Sequence, residues 1–250
     1  MSEYDLDSGP DPADRAAATP ESVDTDRAVP AVGIGPGNPE YLTPRGRRAI
    51  SEADVVVGFE TVVDFVSDIV EAEALTCGYR DEAEALSTFG ERVADGEQGT
   101  AVLMGDPNHS GYQFVGKVEA AVDRPVEVIP GISSLQIAAS RARTPMEDSR
   151  FVTLHKSGDI STDLDRIRAV AGDRHLLVLP RPYDWMPEDI AADLLDTGAD
   201  GSLEALVLEH LTHEEESITR TTLSELAERT TEAEHDSPFS DLSVFVVRAD

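Results

Sequence analysis

The chain has 250 residues, of which 50 are acidic and 20 are basic, so its formal net charge at pH 7 is −30. A surface this acidic excludes broad electrostatic binding to nucleic acid, whose phosphates require a basic footprint. No apolar run approaches the roughly 18 residues that a membrane-spanning helix needs. The acidic N-terminus also lacks the apolar stretch of a secretory signal, so the sequence predicts a soluble, cytoplasmic protein.

The distribution of charge indicates a salt-rich environment. Only Lys117 and Lys156 are lysines, and the acidic residues are spread along the whole chain. Because salt screens repulsion among like charges, we interpret this composition as an adaptation to a high-salt cytoplasm. The alternative is an acidic surface that binds a basic partner. A single cysteine, Cys77, excludes an internal disulfide and is typical of a reducing compartment.

The first half of the chain predicts a tail followed by alternating strands and helices. Residues 1–28 are rich in Asp, Glu, Ser, Pro and Ala, which predicts a disordered acidic tail. Thr43 and Pro44 are a typical helix start, because a capping hydroxyl precedes a proline at the first helical position. The predicted strands are 29–34, 54–57, 75–77, 100–104 and 126–129, and the predicted helices are 43–53, 61–70, 81–94, 110–122 and 134–141. This alternation is typical of a mainly parallel α/β sheet.

A second α/β domain is predicted over residues 145–250, after a first domain over 29–144. Two strand-like segments, 203–211 and 217–222, are separated by an acidic turn and therefore predict an antiparallel hairpin in a mixed sheet. The other predicted strands are 151–154, 175–179 and 242–248, and the predicted helices are 164–170, 187–197 and 223–230.

Three loops rich in glycine and proline each follow a predicted parallel strand. Their sequences are GIGPGNP at 33–39, GDPNHSG at 105–111 and PGISS at 130–134. Since open parallel sheets place ligands at the carboxyl ends of their strands, we expect these loops to form one site. Each loop also has a purely structural interpretation, as a tight turn or a helix cap.

The first loop differs from a dinucleotide-binding loop. Its glycines are spaced G-x-G-x-G at Gly33, Gly35 and Gly37, whereas the dinucleotide fingerprint is G-x-G-x-x-G and runs directly into a helix. Pro36 and Pro39 lack the backbone N–H groups that a pyrophosphate requires. A Walker loop is excluded because no Gly-Lys-Ser/Thr follows. A dinucleotide site and a plain tight turn remain alternatives.

Taken together, the three loops resemble the tetrapyrrole methylases, which are S-adenosylmethionine-dependent enzymes of corrin and sirohaem synthesis. The GxGPG-x-P-x-x-L-T opening of that family is matched by residues 33–43. Its SGDP-aromatic-x-G loop is matched in part by 105–111, and its V-x-PGISS element by 128–134. The resemblance extends over residues 29–248. Within the family, residues 131–158 resemble the branch that methylates C5 of cobalt-precorrin-7 in cobalamin synthesis.

The resemblance implies a fold of two α/β domains with the active-site cleft between them, S-adenosylmethionine as the methyl donor, and no metal. It implies donor binding by Gly105, Asp106, His109, Ser133, Ser134 and Pro180. It implies substrate binding by Gly33, Gly35, Pro36, Gly37, Arg45, Arg80, Lys156 and Arg181. The four basic side chains are included because the substrate carries many carboxylates. No catalytic acid or base is named, since sulfonium methyl transfer requires alignment and exclusion of water.

Other interpretations stay open within this resemblance. The chain could methylate another precorrin position, uroporphyrinogen III or, like diphthine synthase, a protein. It could also be a non-catalytic subunit of a complex that methylates C5 and C15. The family further implies a homodimer and transient contact with a C15-methylating, decarboxylating partner. Neither nucleic acid nor a membrane is an expected partner.

Overall fold

The computed structural model describes residues 12–18, 27–78, 80–182, 184–230 and 237–249. The chain divides into two compact units, and the division falls between Ser133 and Ser134. No helix in the described ranges is both long and apolar enough to cross a membrane.

The first unit contains five strands that form one parallel sheet. The strands are β1 (Val29–Gly33), β2 (Val55–Phe59), β3 (Glu73–Cys77), β4 (Gly99–Leu103) and β5 (Val126–Ile129). The helices are α1 (Pro12–Ala17), α2 (Pro44–Ser51), α3 (Glu60–Asp64), α4 (Glu82–Ala94) and α5 (Tyr112–Ala121). The strand order is β3-β2-β4-β1-β5, so β1 lies between β4 and β5 and is parallel to both.

The strands of the first sheet are apolar throughout because both faces of the sheet are covered. In β2, Val55 and Val57 belong to the core beneath α4 and α5, whereas Val56 belongs to the core beneath α2 and α3. Successive strand side chains point to opposite faces, so a strand buried on both sides is a continuous apolar run. Fully burying one valine contributes about 1.5–3 kcal/mol relative to leaving it exposed.

The second unit contains a mixed sheet. Its strands are β6 (Ser149–Thr153), β7 (His175–Leu179), β8 (Glu204–Glu209), β9 (Ser217–Thr222) and β10 (Ser243–Val247). Its helices are α6 (Ser134–Ala142), α7 (Ser161–Arg168), α8 (Pro187–Asp196) and α9 (Leu223–Ala227). The strand order is β6-β7-β10-β8-β9, with β8 and β9 forming an antiparallel hairpin. The structure thus confirms the predicted fold class, including the parallel first sheet and the hairpin in the second.

One helix lies in a different unit from the one the sequence predicts. The sequence assigns α6 to the first domain, which was expected to end at residue 144. In the structure α6 packs against β7 and β10 of the second sheet, and the division between the units precedes it. The buried residues of this helix include Leu135 and Ala138. The pattern of a single helix does not indicate which of two neighbouring sheets it covers.

Part of the predicted disordered tail is ordered, which corrects that prediction for the residues described. Pro12–Ala17 forms the short helix α1, which packs against α5. The guanidinium of Arg15 donates to the carbonyl of Glu119 at 3.0 Å, and Ala16 packs against the first core. Gly116 makes this contact possible, since a Cβ there would lie 1.8 Å from the carbonyl oxygen of Pro12. Residues 1–11 and 19–26 of the predicted tail lie outside the described ranges.

The predicted helix 61–70 is shorter in the structure. The helix α3 ends at Asp64, and the chain continues in tight turns. In these turns the N–H of Val66 donates to the carbonyl of Val63, and the N–H of Ile69 donates to the carbonyl of Val66. Val66 and Ile69 remain buried, so the apolar periodicity reports their burial correctly although the segment is not a regular helix.

Candidate functional site

The three predicted loops emerge side by side from the first sheet. Because β1 pairs in parallel with both β4 and β5, the carboxyl ends of these three strands lie next to one another. The loops that follow them start at residues 34, 104 and 130, respectively. The sequence prediction that the three loops share one edge of a parallel sheet therefore agrees with the topology.

Backbone hydrogen bonds join the first two of these loops directly. The N–H of Gly35 donates to the carbonyl of Gly105 at 3.2 Å, and the N–H of Gly105 donates to the carbonyl of Gly35 at 2.7 Å. Both glycines have left-handed backbone, with φ of 87° and 65°, which side chains disfavour. Beyond the parallel pairing of β1 and β4, the two loops therefore form a separate, isolated antiparallel bridge.

A contact among Gly33, Gly105 and Gly131 brings in the third loop, and we call these three residues the glycine junction. A Cβ on Gly33 would lie 2.5 Å from the carbonyl oxygen of Gly105 and 2.7 Å from the nitrogen of Gly131. A Cβ on Gly131 would lie 2.1 Å from that same carbonyl oxygen. Since each of these neighbours is backbone, no side-chain rotation can make room. This close approach of the three loops therefore requires glycine at positions 33 and 131, and the left-handed φ of Gly105 favours glycine there as well.

The rest of the first loop is compact. Gly35, Pro36 and Gly37 are buried, and Gly37 also has positive φ, at 117°. The hydroxyl oxygen of Thr43 accepts from the N–H of Gly46 at 3.1 Å, with Pro44 at the first helical position, which confirms the predicted start of α2. The prolines thus belong to a closed, side-chain-poor turn that leads into a capped helix.

The carboxylate of Asp106 points into its own loop. Its Oδ1 accepts from the backbone N–H of Asn108 at 3.0 Å and from the Asn108 side-chain amide at 2.8 Å. Pro107–Gly111 forms one π-helical turn, in which the N–H of His109 donates to the carbonyl of Asp106 at 2.9 Å. Such turns are frequent at functional sites, and this one leads directly into α5.

Sequence reasoning missed a contact between Asn108 of this loop and Tyr112, the first residue of α5. The hydroxyl of Tyr112 donates to Oδ1 of Asn108 at 3.1 Å, so Asn108 connects Asp106 to the start of α5. The i, i+4 spacing of Asn108 and Tyr112 at a helix start is the signal that could have found this pair. In the third loop, Ser133 is buried with 2% of its surface exposed, and Ser134 is the first residue of α6.

The second unit has its own cluster of loops at one sheet edge. Since β6 and β7 are parallel, and β10 is antiparallel to both β7 and β8, the strands β6, β7 and β8 run in the same direction. Their carboxyl ends therefore lie at one edge. Lys156 follows β6 at this edge, and Pro180 and Arg181 follow β7.

Carboxylates of the protein itself hold three of the four predicted substrate-binding cations. Arg45 pairs with Glu127 at 2.6 Å, and Lys156 pairs with Asp163, whose side chain is only 7% exposed. The third, Arg181, makes a two-pronged pair with the carboxylate of Asp184, at 2.8 and 2.6 Å. A substrate carboxylate would have to exchange with these partners.

Arg80 differs from the other three predicted cations. It is exposed, and it forms no ion pair with any residue in the part of the chain that the structure describes. It lies beyond the carboxyl end of β3, at the margin of the first sheet. Breaking the exposed ion pair between Arg45 and Glu127 also requires little free energy, because surface ion pairs contribute only about 0–1 kcal/mol. Arg80 and Arg45 are thus the most readily available of the four.

Comparison with known proteins assigns this architecture to a family. The family model described as Tetrapyrrole (Corrin/Porphyrin) Methylases matches residues 28–227. A probable cobalt-precorrin-7 C(5)-methyltransferase of Methanocaldococcus jannaschii is 30% identical over 219 residues, which cover 88% of this chain and 97% of that protein.

Solved structures show the same fold. The X-ray structure of a cobalt precorrin-4 methyltransferase matches with a TM-score of 0.68 at 20% identity, covering 89% of this chain and 95% of that one. The uroporphyrin-III C-methyltransferase of Thermus thermophilus, complexed with S-adenosyl homocysteine, matches with a TM-score of 0.65 at 24% identity. That match covers 88% of this chain and 92% of that one.

Proposed function

Because this chain belongs to the tetrapyrrole (corrin/porphyrin) methylases, we propose that it transfers a methyl group from S-adenosylmethionine to C5 of cobalt-precorrin-7 in cobalamin biosynthesis. The single observation that carries the proposal is the end-to-end match to a relative described as acting at that carbon. The glycine junction supports it, since this backbone arrangement occurs where the family's loop motifs meet.

The residues at the first sheet's edge fit S-adenosylmethionine as the donor. That ligand carries ribose hydroxyls, an amino group and a carboxylate, which hydrogen-bond well to backbone groups and to the hydroxyls of Ser133 and Ser134. We assign donor binding to Gly105, Asp106 and His109 as well, and to Pro180 in the second unit. Asp106 contributes mainly by shaping the π turn, because its Oδ1 already accepts two hydrogen bonds from Asn108.

The reaction needs little from side chains. When bound, the donor would supply an electrophilic methyl group: the sulfur–carbon bond breaks and sulfur keeps its electron pair, while an electron pair of the substrate forms the new carbon–carbon bond. The substrate then loses one proton from the methylated carbon to solvent. The chain's part is to hold the two reactants in line and to exclude water, and good alignment alone lowers such a barrier by about 7–11 kcal/mol. A rigid backbone junction is suited to this task.

We further propose that the first loop, with Gly33, Gly35, Pro36 and Gly37, borders the macrocycle. Arg45, Arg80, Lys156 and Arg181 would bind its carboxylates. The guanidinium groups suit this role because they bind carboxylates through two parallel hydrogen bonds. For Arg45, Lys156 and Arg181 binding is an exchange of partner, from a carboxylate of the protein to one of the substrate.

The surroundings of the enzyme are also part of the proposal. The net charge of −30 with two lysines supports a salt-rich cytoplasm, where repulsion among the acidic groups is screened. A homodimer is proposed from the family, together with transient contact to a C15-methylating partner. A second candidate function is methylation of another tetrapyrrole, favoured by 29% identity over 219 residues to a uroporphyrinogen-III C-methyltransferase of Paracoccus denitrificans.

The experiment is to incubate the chain in concentrated KCl with methyl-labelled S-adenosylmethionine and a panel of tetrapyrroles. The panel contains cobalt-precorrin-7, earlier precorrins and uroporphyrinogen III, and mass spectrometry locates the label. We expect one added methyl at C5 of cobalt-precorrin-7 and none elsewhere. Label on uroporphyrinogen III would establish the second candidate instead. Label on an added protein or RNA, with no tetrapyrrole methylated, would refute both.

A further inference from the structure

The amino-terminal helix α1 lies against α5 with its backbone in contact at Gly116. A Cβ on Gly116 would lie 1.8 Å from the carbonyl oxygen of Pro12 and 2.5 Å from its carbonyl carbon, and the third nearest atom also belongs to Pro12. Glycine inside a helix is unfavourable relative to alanine, because it loses more conformational freedom on folding. The docking of α1 therefore accounts for a glycine at this buried position of α5.

Few contacts hold α1 in place. The guanidinium of Arg15 donates to the backbone carbonyl of Glu119 at 3.0 Å, and Ala16 packs against the first core. Arg15 also lies 3.9 Å from the carboxylate of Glu119, but its side chain is exposed, and exposed ion pairs contribute little. None of the residues of α1 is buried. A modest electrostatic repulsion is therefore enough to release this helix.

The sequence around α1 supplies such a repulsion. Residues 1–28 carry eight acidic and two basic residues, a net charge of −6, and the rest of the chain carries −24. Because α1 is covalently joined to these acidic residues, its docking holds like charges near one another. The Debye length is about 10 Å at 0.1 M salt and about 3 Å at 1 M, so concentrated salt screens this repulsion. The contacts of α1 itself, close packing and a hydrogen bond to a neutral carbonyl, depend far less on salt.

The contact of α5 with α4 also depends on a glycine, but α4 is held in a different way. A Cβ on Gly90 of α4 would lie 2.1 Å from the carbonyl oxygen of Ala121. Unlike α1, α4 contributes buried side chains to the first core, among them Leu86 and Phe89. Of these two helix contacts, only that of α1 can open without exposing buried core side chains.

We propose that α1 is a salt-operated strap: in concentrated salt it docks on α5 at Gly116 and stabilises the first unit, and it leaves α5 as the ionic strength falls. The family model matches the chain from residue 28 onward, so the strap lies outside the part of the chain to which methyl transfer is assigned. The proposal does not depend on which tetrapyrrole the chain methylates.

The first test is thermal unfolding of Gly116→Ala, followed by circular dichroism, in concentrated KCl and at the lowest KCl concentration at which the unchanged chain remains folded. In concentrated KCl the added methyl group blocks the strap, so the variant should melt below the unchanged chain by about 2–4 °C. In low KCl the strap has already left, and alanine is the better helix former. The variant should then melt above the unchanged chain, by up to about 4 °C.

Two results of this test would overturn the proposal. If Gly116→Ala melted above the unchanged chain at both KCl concentrations, α1 would not stabilise the first unit. If it melted below by the same amount at both, α1 would dock without responding to salt. The matched control is Gly90→Ala, which also adds one methyl group to a helix glycine in close contact with backbone. It should lower the melting temperature at both concentrations, and a reversal of sign there too would show that the salt effect is not specific to α1.

The second test follows the strap directly in the full chain. Spin labels are attached at Ala17→Cys and Ala120→Cys in a Cys77→Ala background, and both labelled positions are exposed. Double electron–electron resonance should give one short distance between the labels in concentrated KCl and a broad, longer distribution in low KCl. Adding Gly116→Ala should give the longer distribution at both concentrations. The same short distance at both concentrations without Gly116→Ala would refute the proposal, whatever the melting temperatures.

Discussion

Substituting alanine for Gly131 tests the glycine junction with the smallest possible change. The new Cβ would lie 2.1 Å from the carbonyl oxygen of Gly105 and 2.6 Å from that of Gly33, whereas ordinary contact begins near 3.4 Å. The loops must therefore separate by more than an ångström. That movement also stretches the two hydrogen bonds between Gly35 and Gly105.

The magnitude follows from overpacking against backbone on two sides. Overpacked cores lose about 1–3 kcal/mol, and we expect Gly131→Ala to lie at the upper end, about 3 kcal/mol, because no side chain can yield. For a chain of this size each kcal/mol lowers the melting temperature by about 2–4 °C, which gives a drop of about 6–12 °C. The affinity for S-adenosylmethionine should also fall, by more than about tenfold, because the loops to which we assign donor binding move apart.

Thermal unfolding in concentrated KCl, followed by circular dichroism, measures the first effect, and calorimetric titration of S-adenosylmethionine measures the second. Gly78→Ala is the matched control. Its Cβ would meet only Asp81 Oδ1, at 3.7 Å, and its φ is not positive. It should melt within about 0.5 kcal/mol of the unchanged chain. If Gly131→Ala melted together with Gly78→Ala and bound donor equally well, the reasoning about the junction would be wrong.

Three further predictions concern single side chains. Asp106→Ala should lower the free energy of unfolding by about 0.5–2 kcal/mol, as loss of a helix cap does, and weaken donor binding several-fold. Asp106→Asn should lower both by less, and calorimetry with thermal unfolding compares the two variants. Arg80→Gln should raise the KM for the tetrapyrrole and leave donor affinity unchanged, whereas the control Arg150→Gln, at an exposed position, should change neither. A change in donor affinity for Arg80→Gln would contradict the assignment of Arg80 to the substrate. Burial, followed by the charge of Glu82, raises the pKa of Cys77 to about 12 from 9.0. The stability linked to this thiol is therefore complete below pH 9 and is lost as pH rises toward 12, and iodoacetamide should label Cys77 at pH 8 only after unfolding. Rapid labelling of the folded chain would show that the thiol is not buried.

Local patterns predicted much of the first unit because its strands are buried on both faces and its loops carry unusual residues. The apolar run at Val55–Val57 and the Thr43–Pro44 helix start are set by neighbours within a few residues. The loops follow their strands directly, so parallel topology alone brings them to one edge. What these features share is that their cause is short-range or topological.

The features that the sequence did not reveal depend on partners far away in the chain. Arg45 and its partner Glu127 are 82 positions apart, and no local pattern indicates that this cation is already paired. The short helix α1 has no large apolar residues, and its docking depends on the absence of a side chain at Gly116. The N–H of Thr212 donates to the Glu216 carboxylate at 2.8 Å, and Thr212 has a left-handed φ of 75°. Neither feature can be read from the composition of the loop.

The position of β1 in the middle of its sheet has a consequence for the order of folding. One of the two strands beside it, β5, is the last strand of the first unit to be synthesised, and the loop after it supplies Gly131. During translation, the glycine junction therefore cannot close until about half of the chain has been made, whatever the stability of the earlier strands. Parallel pairing between distant segments is slow, because chain entropy is lost before contacts form. A nascent chain shorter than this lacks one of the three loops to which we assign donor binding, so on that assignment a bound donor would report that the first unit is finished.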